Sequence, residues 1–154
     1  MRVAFKKISE LIDQEGAGPG EALTRDWREL KNQYIQVILN EISPRDLISQ
    51  FARQPLSDDE ICKIDLLLRS NVDRQRMFTS CGWYFDDYDR IEPKNNTAYS
   101  AEAVWLVKNA TGVDLSQQAM ELLRPVKSWR SGLRADVVFN HYFNRAKNFV
   151  ECGA

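Results

Sequence analysis

Ser57-Asp58-Asp59-Glu60-Ile61-Cys62-Lys63-Ile64-Asp65-Leu66-Leu67-Leu68-Arg69-Ser70-Asn71-Val72 decides the fold. Serine followed three residues later by glutamate, just ahead of an apolar run, is the capping box that starts a helix. Leu56 before the cap and Ile61 after it form a hydrophobic staple. Ile61, Ile64, Leu68 and Val72 then recur every three or four residues, the period of one helical face. Cap, staple and period agree, so a long helix runs from Ser57 toward residue 78.

Working outward, the other segments repeat this grammar. Residues 2 to 14 place Phe5, Ile8 and Ile12 at helical spacing. Glu15-Gly16-Ala17-Gly18-Pro19-Gly20 reads as a break, with residues 1–20 a flexible or partner-packed N-terminal segment. Leu23, Trp27, Leu30, Tyr34, Val37 and Ile38 predict one helix. Ser43-Pro44 is a start signal for a short helix to about Phe51. Asn96 caps a helix that buries Ala101, Val104 and Trp105 and ends at Thr111-Gly112. Asp114 with Gln117 opens another, which Pro125 stops. Val126 to Gly132 is a basic connector, and Ala135, Val138, Phe139, Tyr142, Phe143, Ala146 and Phe149 mark a last helix. No segment alternates as a strand does. The fold class is all-α, an irregular helical bundle, with 1–154 as a single helical domain.

Composition bounds function. The 154 residues carry a net charge of −1, and Lys and Arg are not massed, so nothing calls for nucleic acid or a membrane as partner. Cys62, Cys81 and Cys152 are odd in number and lack Cys-x-x-Cys spacing. That pattern argues against a disulfide framework or zinc site and fits a reducing, cytoplasmic setting. The one histidine, His141, reads as a packed or surface residue. No Gly-rich phosphate loop appears, and no cofactor is expected.

The stretch with chemistry is Phe78-Thr79-Ser80-Cys81-Gly82-Trp83-Tyr84-Phe85-Asp86-Asp87-Tyr88-Asp89-Arg90-Ile91-Glu92-Pro93. Its aromatics run together and its acids follow at once, so neither a 3.6 nor a 2.0 period fits. It predicts a helix that stops near Cys81, with Gly82 as a left-handed terminator, then an irregular loop. Two readings stand side by side. The aromatics lid a core while the acids are solvated, or both share a cleft that suits a sugar, since acids repel phosphate. Energetics place Trp83 and Phe85 inward. Asp86 and Asp87 belong at an open surface, beside an arginine such as Arg74 or Arg90, or at a helix N-terminus.

The central motif Met77-Phe78-Thr79-Ser80-Cys81-Gly82-Trp83-Tyr84-Phe85-Asp86-Asp87, with Ile91-Glu92, resembles the signature of a helical domain of unknown function. That domain follows the catalytic barrel in glycoside hydrolase family 57-like, amylase-like proteins. Trp27–Ile35, Ala98–Ala103 and Val126–Ser128 are similar to flanking parts of that domain, so the resemblance spans roughly residues 22–145. Tyr88-Asp89-Arg90 departs from the glycine-containing turn usual there. The resemblance implies carbohydrate metabolism and a non-catalytic accessory domain or fragment, packed on a catalytic barrel of the same or a companion chain and lining its α-glucan cleft. It implies Cys81, Trp83, Tyr84, Asp86 and Asp87 as substrate- or partner-facing residues, with no catalytic residue among them. The family's catalytic carboxylates belong to the barrel, so the chain alone is not expected to hydrolyse glycosides. The alternative is a stand-alone helical protein-interaction module with an aromatic patch. A third reading is a small hydrolase using Cys81 or the acids.

Overall fold

A computed structural model describes residues 1–83 and 87–146, with Trp83 described through its backbone. The capping box at Ser57 forms as expected. Ser57 Oγ accepts the Glu60 N–H (3.3 Å), and the Glu60 carboxylate accepts the Ser57 N–H (2.8 Å). It opens a helix over Asp58–Arg76, and Leu56 and Ile61 both pack on the core. Ser57→Ala is expected to lower stability by about 1 kcal/mol in urea denaturation; an unchanged midpoint would show that the box is dispensable.

In chain order the helices are α1 (Arg2–Leu23), α2 (Trp27–Gln33), α3 (Ile35–Ile38), α4 (Pro44–Phe51), α5 (Asp58–Arg76), α6 (Ile91–Thr111), α7 (Ser116–Leu123) and α8 (Ala135–Ala146). A 3-10 turn covers Ser80–Trp83 between α5 and α6. Among the described residues there is no strand, only isolated bridges of Thr24 with Ala52 and Lys127 with Arg134. The all-α bundle is therefore as the periodicity predicts.

The centre is α5 against α6, with α1 packed on both and α8 on α6. Phe5, Ile8, Ile64, Leu68, Val104 and Phe139 of these helices are wholly buried, and Leu47 and Ile48 of α4, which packs on α5, are wholly or almost wholly so. α6 is buried on several sides. Ser100, Ala101 and Ala103 give it small contact surfaces, and Ser70 Oγ donates to the Ala103 carbonyl (2.9 Å) across the α5–α6 seam. Gly112, at φ +81°, ends α6 as a left-handed residue whose N–H reaches the Lys108 carbonyl (2.8 Å).

Four local readings change. The glycine run at 16–20 is no break, because α1 continues through it with Pro19 inside. Gly16 and Gly20 lie one turn apart on its buried face, and the Trp27 indole occupies the space a Gly20 side chain would need, its ring 2.4 Å from where a Cβ would stand. The predicted helix over 23–38 is split. Asp26 caps α2 by accepting the Glu29 N–H (2.9 Å), and Tyr34, still right-handed in backbone, ends α2 and precedes α3. Asn96 is not a cap, since α6 starts at Ile91 and buries Asn96. Cys62 is disulfide-bonded, against the expectation from cysteine spacing, while Cys81 is free. Spacing rules read neighbours in sequence and are blind to pairs that tertiary packing brings together.

Candidate functional site

The central stretch begins where α5 ends at Met77, which is fully buried. Its path is then fixed by α6. Thr79 Oγ1 donates to Asn96 Oδ1 (2.7 Å), and Asn96 Nδ2 donates back to the Thr79 carbonyl (3.2 Å). Gly82 packs on that amide, and a Cβ there would stand 2.2 Å from Asn96 Nδ2. Gly82 is thus required for close approach, not as a left-handed terminator; its φ is not positive. Beyond the 3-10 turn, the buried Tyr88 hydroxyl bonds to Thr97 Oγ1 (2.9 Å), which itself donates to the Pro93 carbonyl (2.9 Å).

The acids separate. Asp87 is 6% exposed, so it neither faces an open surface nor pairs with an arginine as expected. Its Oδ2 accepts the Ser128 hydroxyl (2.8 Å) and its Oδ1 accepts the Trp129 N–H (3.0 Å). Burial pushes the Asp87 carboxyl up, but hydrogen bonds from Ser128 and from the N–H groups of Trp129, Tyr88 and Asp89 outweigh it and hold the pKa below the usual carboxylate range. Hydrogen bonding within a turn satisfies the charge that would otherwise have to stay wet. Asp89 accepts a hydrogen bond from Ser131, which lowers its pKa, and Lys94 bonds its carbonyl (2.7 Å).

These bonds build the Val126–Gly132 connector into a fixed turn. Ser128 Oγ also accepts the N–H groups of Arg130 (3.1 Å) and Ser131 (3.0 Å), and Ser128 N–H donates to the Leu133 carbonyl (2.8 Å). The turn presents Trp129, 70% exposed, with the Arg130 guanidinium 4.8 Å from its ring centroid. Next to it, Arg134 grips Asp136 through two bonds of 2.9 and 2.8 Å. Asp89, Ser131, Leu133, Arg134 and Val137 line a shallow basin beside the turn, and Val137 is exposed. The arrangement offers a rigid aromatic platform with charged groups at its side, suited to binding rather than to proton transfer.

A family model described as Domain of unknown function (DUF3536) matches residues 1–144. The chain belongs to that family. No curated protein and no solved structure matches it. The DUF3536 match takes in α1 as well as the segments from residue 22 onward on which the resemblance was drawn.

Within this DUF3536 domain the candidate residues fare differently. Cys81 is exposed in the 3-10 turn, and Trp83 closes that turn. Tyr84, Phe85 and Asp86 lie outside the described residues. Asp87 faces the protein and acts on Trp129. His141 is exposed on α8, edge-on to Tyr142 (5.3 Å, 82°). No described helix is long and apolar enough to cross a membrane.

Periodicity does not single out Trp129, because a tryptophan between Ser128 and Arg130 in a basic connector has no periodic partner. The available signal was its place in a polar segment, where a core tryptophan does not belong. A second group is likewise hidden from sequence spacing. On α5 and α6, Asp73 is buried beside Glu102, Arg76 and Arg69. Burial, reinforced by the Glu102 charge, raises the Asp73 carboxyl to about 6 against the pull of Arg76 and Arg69.

Proposed function

We propose that this chain is a non-catalytic helical accessory domain of a glycoside hydrolase family 57-like, α-glucan-active enzyme. It packs on the catalytic barrel of the same or a companion chain through the face that carries Trp129, and helps line the barrel's cleft. The observation that carries this reading is the bond from the central motif to the connector. Asp87, within the motif that resembles the family 57-associated domain, fixes the turn that holds Trp129 out of the core. An exposed tryptophan on a rigid turn loses little conformational freedom on binding, which is what an interface anchor needs.

The test is titration of the chain into an isolated catalytic barrel of a family 57 amylase-like enzyme, read by calorimetry. Trp129→Ala is expected to weaken association at least tenfold while leaving Tm unchanged. Asp87→Asn is expected to weaken it as well and to lower Tm, since it removes a charged acceptor from two hydrogen bonds. Absence of association, or an unchanged Kd in Trp129→Ala, overturns the reading.

A second reading, a stand-alone interaction module, draws on a different patch. Ile35, Ile38 and Leu39 are exposed together at α3, and clustered exposed apolar groups mark partner surfaces. Loss of all binding in Ile35→Ser, Ile38→Ser with Trp129→Ala unaffected would favour that module.

A further inference from the structure

A second concave site lies where α5, α6 and α8 meet, formed by other residues than the Trp129 turn. It is a cleft of about 230 Å³ lined by Arg69, Tyr99, Glu102, Trp105, Tyr142 and Arg145, among others. Three aromatic side chains, two guanidiniums and a carboxylate in one concavity is the mixture of apolar wall and few polar groups that a ligand site uses.

The walls are fixed. Trp105 stands edge-on to Phe143 (5.5 Å, 87°), and Phe143 stacks on the fully buried Phe139 (5.9 Å, 13°). Arg76 lies over the Tyr99 ring (5.9 Å) while donating to Asp73 (3.2 Å). Polar capacity is left over. Trp105 Nε1–H is buried and finds no acceptor among the described residues, and a buried donor without an acceptor is uncommon and costly in folded proteins. The same side chain forms part of the cleft wall.

The charges decide the class of ligand. Arg69 acts on the carboxylates of Asp65 and Asp73, and Arg76 on Asp73. Glu102 and Arg145 both line the cleft itself. Lys108, over the Trp105 ring (5.9 Å), is paired with Asp114. Among the described residues, Asp65, Asp73, Glu102 and Asp114 thus stand against Arg69, Arg76, Arg145 and Lys108, a balance that does not call for an anion. A hydroxyl both donates and accepts, so it can satisfy Glu102 and an arginine together. The C–H face of a pyranose ring packs on an aromatic ring. The volume is below that of pockets for drug-sized ligands and fits one ring, not a chain.

We propose that the α5–α6–α8 cleft binds a single neutral sugar ring, held by Tyr99, Trp105 and Tyr142 against Glu102 and Arg145. The class of ligand follows from the cleft, and the site stands or falls apart from docking to a barrel.

The test uses the full chain alone, labelled with 15N, and follows the indole N–H signals of its four tryptophans. Maltotriose, cellotriose and sodium benzoate are the probes, each titrated to about 50 mM. Trp105→Phe assigns its own signal. Maltotriose or cellotriose is expected to shift the Trp105 signal in a saturable way. Glu102→Gln is expected to raise the Kd at least tenfold without lowering Tm. Stationary Trp105 signals with both sugars overturn the proposal. So does a shift with benzoate alone, which would mark the cleft as an anion site, or a Glu102→Gln protein that binds as tightly as the wild type. No barrel is present in this experiment, so its failure leaves the Trp129 interface to its own test.

Discussion

Gly20→Ala is expected to destabilise the protein by roughly 1–3 kcal/mol, the usual cost of overpacking a core. The sign is the informative part. Alanine in place of glycine inside a helix ordinarily gains about 0.5–1 kcal/mol, because glycine loses more backbone freedom on folding. At Gly20 that gain is overridden. A new methyl carbon would stand 2.4 to 2.8 Å from three carbons of the Trp27 ring, which is itself buried. The ring atoms that collide belong to a rigid bicycle, so α2 must move with them. Gly18 is the control, since it lies in the same helix with nothing within 4 Å of its Cβ position. Gly18→Ala is expected to stabilise by about 0.5–1 kcal/mol. Urea denaturation of the two variants separates the cases. Equal, stabilising effects would mean that α2 does not pack on α1 through Trp27.

The second large effect depends on pH. The Asp73 carboxyl is raised to about 6 in the folded protein, whereas an unfolded aspartate titrates near 3.9. Between those values the native state holds a proton that the unfolded state has released. Stability therefore falls as pH rises from about 4 to about 6, and is flat in this respect above. Two pH units correspond to about 3 kcal/mol at most. Asp65 is shifted in the same direction, by burial, and adds to the slope. Asp114 is held low, at about 2, first by its hydrogen bond from Lys108. Its contribution is lost only as pH falls below about 4, so the two windows do not overlap. Asp73→Asn keeps an acceptor for Arg76 and removes the titration. Its melting temperature should match wild type near pH 4 and exceed it at pH 7. A constant difference between the two proteins across that range would show that Asp73 is ionised throughout.

Much of the architecture is set by residues that act on their nearest neighbours. The Ser57–Glu60 box, the proline after Ser43 and the left-handed Gly112 each specify a helix end within one turn of chain. The spacing of Ile61, Ile64 and Leu68 names a buried face before any partner is known. These signals are legible because a capping hydrogen bond or a 3.6-residue period needs no other part of the protein.

The site is different. Asp87 and Trp129 are 42 residues apart, and the bond between them exists only once α6, α7 and the connector have folded back. The sequence shows a charged residue beside aromatics and implies an exposed acid, because an unpaired buried carboxylate is costly. The fold supplies Ser128 and a backbone N–H, which removes that cost and reverses the residue's direction. In the same way the glycine run at 16–20 carries the local signal of a break, and the Trp27 ring that needs the bare backbone of Gly20 comes from the next helix. By itself, the sequence determined that the chain is helical and where the capped ends at Ser43, Ser57 and Gly112 lie, since those energies are local. Only the tertiary structure decided that Asp87 turns inward, that Trp129 stands out, and that Tyr99, Trp105 and Tyr142 meet around Glu102, since each depends on partners that chain distance conceals.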